Sequence, residues 1–310
     1  MKKISIMTPC YNEEDNIQTV IDSVKEIFKH LENYTYEHIF IDNASTDQTA
    51  HILRAAASND KHIKVIFNAG NYGHIRSPYY GLLQATGDAI IPFVADLQDP
   101  PEIIPKLIAK WESGTEIVMA IKNKSRESPL MFSIRRLYYG LVKMVSEEDL
   151  ISNFTGFGLY DRKVIEALKQ FKDPYPYFRG IIAQIGFKKE IIEYTQPKRN
   201  AGKTKNNFYT LFDMAMLGFV NNTKLPLRIA TLLGFICSGL SLLVAVIYFI
   251  YKLAYWDTFS AGTAPLVIGL FFLGSVQMMF IGILGEYIGA IYTQTKDKPL
   301  VIERERINFD

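Results

Sequence analysis

Cysteine is scarce in this chain of 310 residues, which contains only Cys10 and Cys237. The two positions lie far apart, and Cys237 lies inside an apolar run. Disulfide frameworks and zinc knuckles need several cysteines at close spacing, so neither is expected. The scarcity of cysteine favours a protein that works in a reducing compartment.

Net charge is also small, because 34 lysine and arginine residues are set against 32 aspartate and glutamate residues, which leaves a formal charge of +2. Outside the flanks of the apolar segments the sequence has no basic strip interleaved with aromatic residues, so we predict no nucleic-acid partner. A secretory signal is not predicted either, because only a short apolar stretch separates the basic start from Pro9.

Charged residues become rare between Pro226 and Tyr292. Ile229–Tyr251 and Thr263–Gly285 contain none at all, and each run has the roughly 20 apolar residues needed to cross a hydrocarbon layer of about 30 Å. The pattern predicts transmembrane helices at 227–252 and 263–292, which together form a helical hairpin. The alternative is a pair of buried core helices in a soluble protein.

Basic residues flank this pair of runs on the outer sides: Lys224, Arg228, Lys296 and Lys298. In the intervening loop Lys252 is balanced by Asp257. The positive-inside rule therefore predicts a multi-pass protein with both termini in the cytoplasm. The predicted organisation is a cytoplasmic globular domain at 1–207, an amphipathic interfacial helix at 208–226, the two spans, and a cytoplasmic tail at 293–310.

The first part of the chain alternates short apolar runs with amphipathic stretches. After the first run, apolar residues follow at helical spacing: Ile17, Val20, Ile21, Val24, Ile27 and Phe28. Strands are predicted at 4–8, 38–41, 63–67, 90–94, 116–121 and 190–195, with a glycine-broken segment at 153–162. Because parallel strands need helical crossovers, the alternation predicts an α/β fold with a doubly wound, mainly parallel sheet.

The apolar run at 90–94 ends at Asp96, Gln98 and Asp99, and two prolines follow. Ligands of open α/β sheets bind beyond the carboxyl ends of the strands, so these side chains are expected at a substrate site. Hard oxygen ligands on a short loop suit Mg²⁺ or Mn²⁺. The alternative is a solvated acidic turn that caps the helix beginning near Pro101. The cationic segment 198–205 is typical of a loop that closes over phosphates.

Five motifs and the apolar hairpin resemble, in order and spacing, the polyprenyl-phosphate glycosyltransferases, which are inverting enzymes of the GT-A fold. The motifs are Pro9-Cys10-Tyr11-Asn12-Glu13-Glu14, the turn from Asp42 to Asp47, Ala95-Asp96-Leu97-Gln98-Asp99-Pro100-Pro101, the loop from Arg199 to Lys205, and Gly285-Glu286-Tyr287-Ile288-Gly289. The resemblance covers nearly the whole chain, and it implies a GT-A-like domain joined to the hairpin.

The resemblance also implies ligands and site residues. The expected partners are a nucleotide-sugar donor, undecaprenyl phosphate and the lipid bilayer of the bacterial plasma membrane. The nucleotide pocket would use Pro9, Tyr11, Glu13 and Ala95, with Asp42 on the base, Asp96 and Gln98 on the divalent metal, and Arg199 and Lys203 on the phosphates. The alternatives are that Glu13 caps the first helix, that Asp42 forms a turn, and that 199–205 is a solvated loop.

Two positions depart from the pattern of the family. Val94 stands where an aspartate is usual in the metal motif, and Phe157 stands where the aspartate proposed as general base is usual. A phosphomonoester acceptor is already largely dianionic at neutral pH, so it needs orientation rather than deprotonation. We predict that Lys122, Arg126 and Arg135 orient it. Asp161 is predicted as an alternative acid and completes the predicted catalytic set with Asp96 and Gln98.

The predicted function is the transfer of a sugar, expected from a UDP-sugar, to undecaprenyl phosphate with inversion, for modification of cell-envelope glycans. The alternatives are a non-catalytic glycosyltransferase-like membrane subunit and a glycosyltransferase with a hydroxyl acceptor. Small residues along the second span would also allow the close helix packing of a homo-oligomer: Gly269, Gly274, Ser275, Gly282, Gly285 and Gly289.

Overall fold

The computed structural model describes residues 1–122, 154–195, 263–296 and 298–309, together with scattered residues between 232 and 255. The strands are β1 (Lys2–Cys10), β2 (Tyr34–Asp42), β3 (Ile63–Asn68), β4 (Ala89–Pro92), β5 (Ile117–Lys122), β6 (Phe154–Asp161), β7 (Lys189–Tyr194) and β8 (Glu303–Ile307). The helices are α1 (Ile17–Lys29), α2 (Thr49–Asn59), α3 (Gly73–Leu83), α4 (Ile104–Glu112), α5 (Arg162–Leu168), α6 (Phe178–Gln184) and α7 (Thr263–Thr295), with a 3-10 turn at Pro101–Ile103.

The strands form one mixed sheet in the order β7-β5-β6-β4-β1-β2-β3-β8. The middle strands β4, β1, β2 and β3 are parallel, as is the outer pair β5 and β7. The pairs β4–β6, β5–β6 and β3–β8 are antiparallel. The predicted parallel sheet is therefore confirmed for its middle strands, whereas the antiparallel pairings are additions that the sequence did not predict.

Helices cover both faces of the sheet. Successive side chains of a strand point to opposite faces, so each middle strand contributes to two apolar cores. In β2, Phe40 belongs to the apolar core under α1, α2 and α4. Ile39 and Ile41 belong to the core under α3, α5 and α6. The helical spacing predicted for α1 is confirmed, since its buried residues are Ile17, Val20, Ile21, Val24 and Phe28. The result is a three-layer α/β/α domain.

The segment predicted as glycine-broken is the continuous strand β6, and its glycines explain why. At Gly158 a Cβ atom would overlap the carbonyl oxygen of Val118 on the neighbouring strand β5. Gly156 has a φ of 99°, which side-chain-bearing residues rarely adopt. The glycines thus permit close strand pairing and a local bend instead of breaking the strand.

The predicted tail 293–310 contains β8, which the sequence prediction missed. β8 pairs antiparallel with β3, with Ile307 opposite Val65. A 2.6 Å ion pair joins Arg54 to Glu305. The side-chain amide of Asn308 donates to the carbonyl oxygens of Ala57 and Ile63 at 2.7 and 2.8 Å. The end of the chain is therefore part of the globular domain.

Within the described part of the chain, one helix is long and apolar enough to cross a membrane. It is α7, whose window Phe272–Gly289 has a mean hydropathy of 1.3 and no buried residue. This helix lies where the second span was predicted. For the first span, 227–252, only scattered helical residues are described, and 208–226 lies outside the described residues. The hairpin therefore remains a prediction.

Candidate functional site

A cavity of about 850 Å³ opens at the end of the sheet where the parallel middle strands finish. The carboxyl ends of β1, β2, β4 and β5 lie at this end of the sheet, and so does the start of the antiparallel strand β6. The topology therefore collects residues from distant parts of the sequence around one cavity. The predicted site residues that line it are Pro9, Tyr11, Glu13, Asp96, Gln98 and Lys122.

The turn after β4 carries the carboxyl groups of Asp96 and Asp99 and the side-chain amide of Gln98. The backbone N–H of Phe93 donates to the carbonyl of Met7 at 2.8 Å, which extends the contact between β4 and β1. Leu97 then adopts a φ of 53°, and its side chain is buried. Asp96 and Gln98 on either side both line the cavity, and the N–H of Gln98 donates to Oδ1 of Asp96 at 3.1 Å.

Left-handed backbone recurs in the loops at this end of the sheet. Besides Leu97, Asn12 follows β1 with a φ of 55° and Ala44 follows β2 with a φ of 61°. Side-chain-bearing residues rarely adopt such conformations, and strained residues cluster at binding and catalytic sites. The three loops therefore share a positive φ angle, which is typical of binding and catalytic sites.

Asp99 lies at the base of the acidic turn, where the hydroxyl of Tyr194 donates to it. Burial raises the pKa of the Asp99 carboxyl, the nearby negative charge of Asp96 adds to this effect, and the hydrogen bond and the positive charge of Lys122 oppose it. Lys122 is opposite Tyr194 in the pairing of β5 with β7. Sequence reasoning missed Tyr194, because only the folded sheet brings β7 next to this turn.

Phe157 occupies the wall where the family pattern would put an acid. It is buried and packs edge-on against Tyr194, with ring centroids 5.7 Å apart. Its centroid is 6.2 Å from that of Phe93. The surface that Phe157 contributes to the cavity wall is therefore apolar.

The opposite part of the cavity is built from β1, β2 and the loop after β3. The N–H of Glu13 donates to the hydroxyl of Thr49 at 2.9 Å, and its carboxylate accepts from the Asn16 amide at 2.8 Å. Asn43 donates to Oδ1 of Asn71 at 2.8 Å and accepts from the N–H of Tyr72 at 2.8 Å. Glu13 thus supports the start of α1, as the alternative reading proposed, and also lines the cavity.

The predicted residues Asp42, Ala95 and Asp161 are not brought to the cavity wall. Asp42 is buried and accepts hydrogen bonds from the N–H and hydroxyl of Ser45, so it closes the turn after β2. Its burial raises the pKa of its carboxyl, while the bonds from Ser45 lower it. Ala95 is buried in the core. The neighbour of Asp42, Asn43, is the residue that lines the cavity.

The structure does not bring Asp161 to the cavity, because this residue lies at the opposite end of the strands. It is opposite Ala89, the first residue of β4, whereas the site follows the last residue of β4. Its carboxylate accepts from the indole N–H of Trp111 at 2.7 Å and from the N–H of Lys163 at 2.9 Å. Asp161 caps α5 and has a structural function.

Two further polar residues line the cavity that the sequence did not single out, His74 on α3 and Arg179 on α6. Burial and the charge of Arg179 lower the pKa of His74. Neither residue belongs to a recognisable motif, so no sequence signal marked them. The predicted residues Arg126, Arg135, Arg199 and Lys203 lie outside the described residues.

Among the described residues, no group of three or more histidine, cysteine, aspartate or glutamate side chains is arranged to hold a metal ion. Asp96 and Gln98 nevertheless offer two oxygen ligands on one turn. Such a set fits Mg²⁺ or Mn²⁺, which need one or two protein carboxylates when substrate phosphates and water complete the coordination.

The model of the family described as Glycosyl transferase family 2 matches residues 5–169. The chain is 37% identical over 306 residues to a prophage bactoprenol glucosyl transferase homolog of Escherichia coli (strain K12), a match that covers 97% of this chain and 98% of that protein. It is 33% identical over 305 residues to the bactoprenol glucosyl transferase of Shigella phage SfX, with coverage of 98% and 99%.

Among solved structures, the chain is similar to glucosyl-3-phosphoglycerate synthase from Mycobacterium tuberculosis in complex with Mn²⁺, UDP and phosphoglyceric acid. The TM-score is 0.48 at 20% identity, over 71% of this chain and 76% of that one. Mannosyl-3-phosphoglycerate synthase from Rubrobacter xylanophilus gives a TM-score of 0.45 at 16% identity, over 69% and 71% of the two chains.

Proposed function

Because the chain belongs to glycosyl transferase family 2, we propose that it transfers a sugar from a nucleotide-sugar to the phosphate of a polyprenyl lipid. The acceptor is undecaprenyl (bactoprenol) phosphate, and the donor is a UDP-sugar. The product is a polyprenyl-phosphate sugar for modification of cell-envelope glycans. The names of the two relatives support the acceptor, since each aligns with this chain over nearly its whole length.

The observation that carries the proposal is the meeting of Asp96, Gln98 and Lys122 at one cavity. A sugar donor and a phosphate acceptor both bring negative charge to the site, so the site needs counter-charge and orienting groups. Lys122 supplies a cation next to the acidic turn. A cavity of about 850 Å³ is also large enough for a nucleotide-sugar.

Transfer proceeds by one displacement at the anomeric carbon of the sugar. An oxygen of the acceptor phosphate forms the new bond to that carbon while the bond to the donor diphosphate breaks, and the nucleoside diphosphate leaves with the electron pair. A single displacement inverts the anomeric configuration. The phosphate is already ionised at neutral pH, so no side chain has to remove a proton. The apolar wall at Phe157 is compatible with this requirement.

In this proposal Asp96 and Gln98 hold a divalent cation, Mg²⁺ or Mn²⁺. When bound, such a cation neutralises negative charge that develops on the leaving diphosphate. Pro9, Tyr11, Glu13 and Asn43 form the wall that accommodates the nucleoside. Lys122 orients phosphate, and we retain Arg126, Arg135, Arg199 and Lys203 as proposed phosphate ligands.

Attachment to the plasma membrane is part of the same proposal, because the acceptor is a membrane lipid. The exposed apolar surface of α7 supports it, and so does the uncharged run 229–251. We propose that the globular domain and both termini lie on the cytoplasmic side, where nucleotide-sugars are available.

The test is to incubate detergent-purified protein with undecaprenyl phosphate, Mg²⁺ or Mn²⁺ and a panel of nucleotide-sugars, and to identify glycolipid by mass. We expect glycolipid with one donor and none after EDTA treatment. Asp96→Asn should lower the rate at least about 100-fold. The matched control is Asp22→Asn on the exposed face of α1, which should retain full activity. Absence of glycolipid with every donor, while the protein is folded, would refute the proposal.

A further inference from the structure

Arg179 differs from every other arginine in the described part of the chain. Arg54 and Arg306 pair with glutamates at 2.6 Å. Arg162 and Arg304 donate to the carbonyl oxygens of Ala85 and Ala69 at 2.6 and 3.2 Å, and Arg76 donates to that of Pro299. Arg179 makes no such hydrogen bond or ion pair with the described residues, although it is half-buried in the cavity wall.

Packing fixes the turn that carries Arg179. The preceding residue, Phe178, packs edge-on against Tyr160 of β6 and Tyr79 of α3, with ring centroids 5.2 and 6.3 Å apart. Gly180, the following residue, is buried. The backbone of Arg179 is therefore anchored on both sides. Arg179 is partly buried as a residue, and a bound anion would supply the acceptor oxygens for its guanidinium that the described protein groups do not.

The other ionisable groups around the cavity leave Arg179 free to meet an anion. Asp96, Asp99 and Glu13 are acids of the cavity wall, and Arg179 forms no ion pair with the described residues. Lys122 is the other cation among the described lining residues and lies beside Asp99. His74 is near Arg179, and burial together with the charge of Arg179 lowers the pKa of its imidazole. Arg179 therefore contributes a positive charge to the cavity wall in addition to that of Lys122.

We propose that Arg179 binds a phosphate group of a substrate through its guanidinium. Planar guanidinium groups bind phosphate oxygens through two parallel hydrogen bonds, which fixes orientation as well as charge. The inference depends on the proposed function, because that function supplies the phosphate groups. Two sources share this chemistry, the diphosphate of the donor and the phosphate of the lipid acceptor, and the experiment separates them.

The variants are Arg179→Gln, which removes the charge, and Arg179→Lys, which keeps the charge but loses the paired geometry. Lys172→Gln, an exposed surface cation outside the cavity, is the matched control. For each protein we would measure the Kd of UDP with Mg²⁺ by calorimetry, and the KM and kcat for undecaprenyl phosphate. Circular dichroism and the thermal midpoint would show that the variants are folded.

If Arg179 binds the donor, Arg179→Gln should raise the Kd of UDP about 10- to 100-fold. If it binds the acceptor, the Kd of UDP should stay unchanged while the KM for undecaprenyl phosphate rises by a similar factor. Arg179→Lys should recover part of the loss in either case. Values of Arg179→Gln within twofold of Lys172→Gln in both measurements would overturn the inference. An inactive wild-type protein would count against the proposed function instead.

Discussion

The hydroxyl of Tyr194 donates a hydrogen bond to Oδ1 of Asp99, although the two residues are 95 positions apart in the sequence. The bond joins the end of β7 to the acidic turn after β4. Asp99 is buried, and Phe157 packs on the ring of Tyr194. One side chain thus supports both the polar and the apolar parts of the cavity wall.

We expect Tyr194→Phe to destabilise the domain, because the buried Asp99 carboxylate loses its hydrogen-bond donor. The loss should be about 1–3 kcal/mol, visible as a lower thermal midpoint by intrinsic fluorescence. Tyr34→Phe is the control, since the Tyr34 hydroxyl makes its 3.1 Å bond to Glu112 on the exposed surface. Equal shifts for both variants would contradict this assignment.

A second prediction concerns Glu37, which is 1% exposed. Its carboxylate lies 2.8 Å from the Lys3 ammonium and 2.9 Å from that of Lys64. Burial opposes ionisation, but bonds from Lys3, Ser5, Thr86 and Lys64 outweigh it and lower the pKa of Glu37 to about 2. The ordinary value is 4.5, so ionised Glu37 stabilises the fold above about pH 4.5, and this stability is lost as pH falls towards 2.

Glu37→Gln should therefore lose about 3 kcal/mol of unfolding free energy at pH 7. The difference from wild type should shrink as the pH is lowered from 4.5 towards 2, because the Glu37 carboxyl of the unfolded state then binds a proton that the folded state does not. Urea titrations at several pH values would measure it, with exposed Glu32→Gln as the control. A difference that is independent of pH would rule out the ion cluster as its cause.

The left-handed backbone at Ala44 predicts that replacing alanine with glycine affects the free energy of unfolding differently at two positions. Ala44 has a φ of 61°, a conformation that glycine adopts without strain. Ala44→Gly should therefore leave the free energy of unfolding unchanged or raise it by up to about 1 kcal/mol. Ala55→Gly, on the exposed face of α2, should lower stability by about 1 kcal/mol. Urea midpoints of both variants check the prediction, and a loss at Ala44 equal to that at Ala55 would disprove it.

The last prediction links the carboxyl-terminal segment to the cavity. Arg304 donates to the carbonyl of Ala69 at 3.2 Å, and the carbonyl of Ile302 accepts from the N–H of Ala69 at 2.8 Å. Ala69 precedes Asn71 and Gly73, which line the cavity. We expect Arg304→Ala to weaken UDP binding about 2- to 10-fold by loosening this loop.

Calorimetry with UDP and Mg²⁺ would test this effect on the loop. The exposed Lys298→Ala removes a neighbouring cation without a contact to Ala69 and should bind UDP as wild type does. If the two variants bind equally, the carboxyl-terminal segment does not position the loop.

The α/β fold was predictable from the sequence, because strand and helix periodicity is local, and the family was recognised by its resemblance in five motifs. The turn with Asp96 and Gln98 was predictable for the same reason, since acids directly follow an apolar run. By contrast, β8 reads Glu-Arg-Glu-Arg-Ile and shows no apolar alternation. It is an edge strand in which exposed arginines alternate with partly buried residues, two of them glutamates, so composition does not reveal its pairing with β3.

Roles that depend on long-range neighbours were also beyond sequence reasoning. Asp161 was predicted as an alternative acid because Phe157 stands where the family has an aspartate, but the antiparallel direction of β6 carries Asp161 to the opposite end of the strands. Arg179 reaches the cavity only through α6, and Tyr194 reaches Asp99 behind the cavity wall only through β7. Phe157 was noticed as a departure, and the structure adds that it packs into an aromatic wall.

The pairing of β8 with β3 also constrains the order of events during synthesis. The edge of β3 is translated by residue 68, yet its partner begins only at residue 303, after α7. Until then the ribosome-bound chain carries an open strand edge, the kind of surface that recruits chaperones or mispairs with other chains. Completion of the sheet therefore has to wait until the long apolar helix has been made, which couples maturation of the domain to the handling of that helix by the cell.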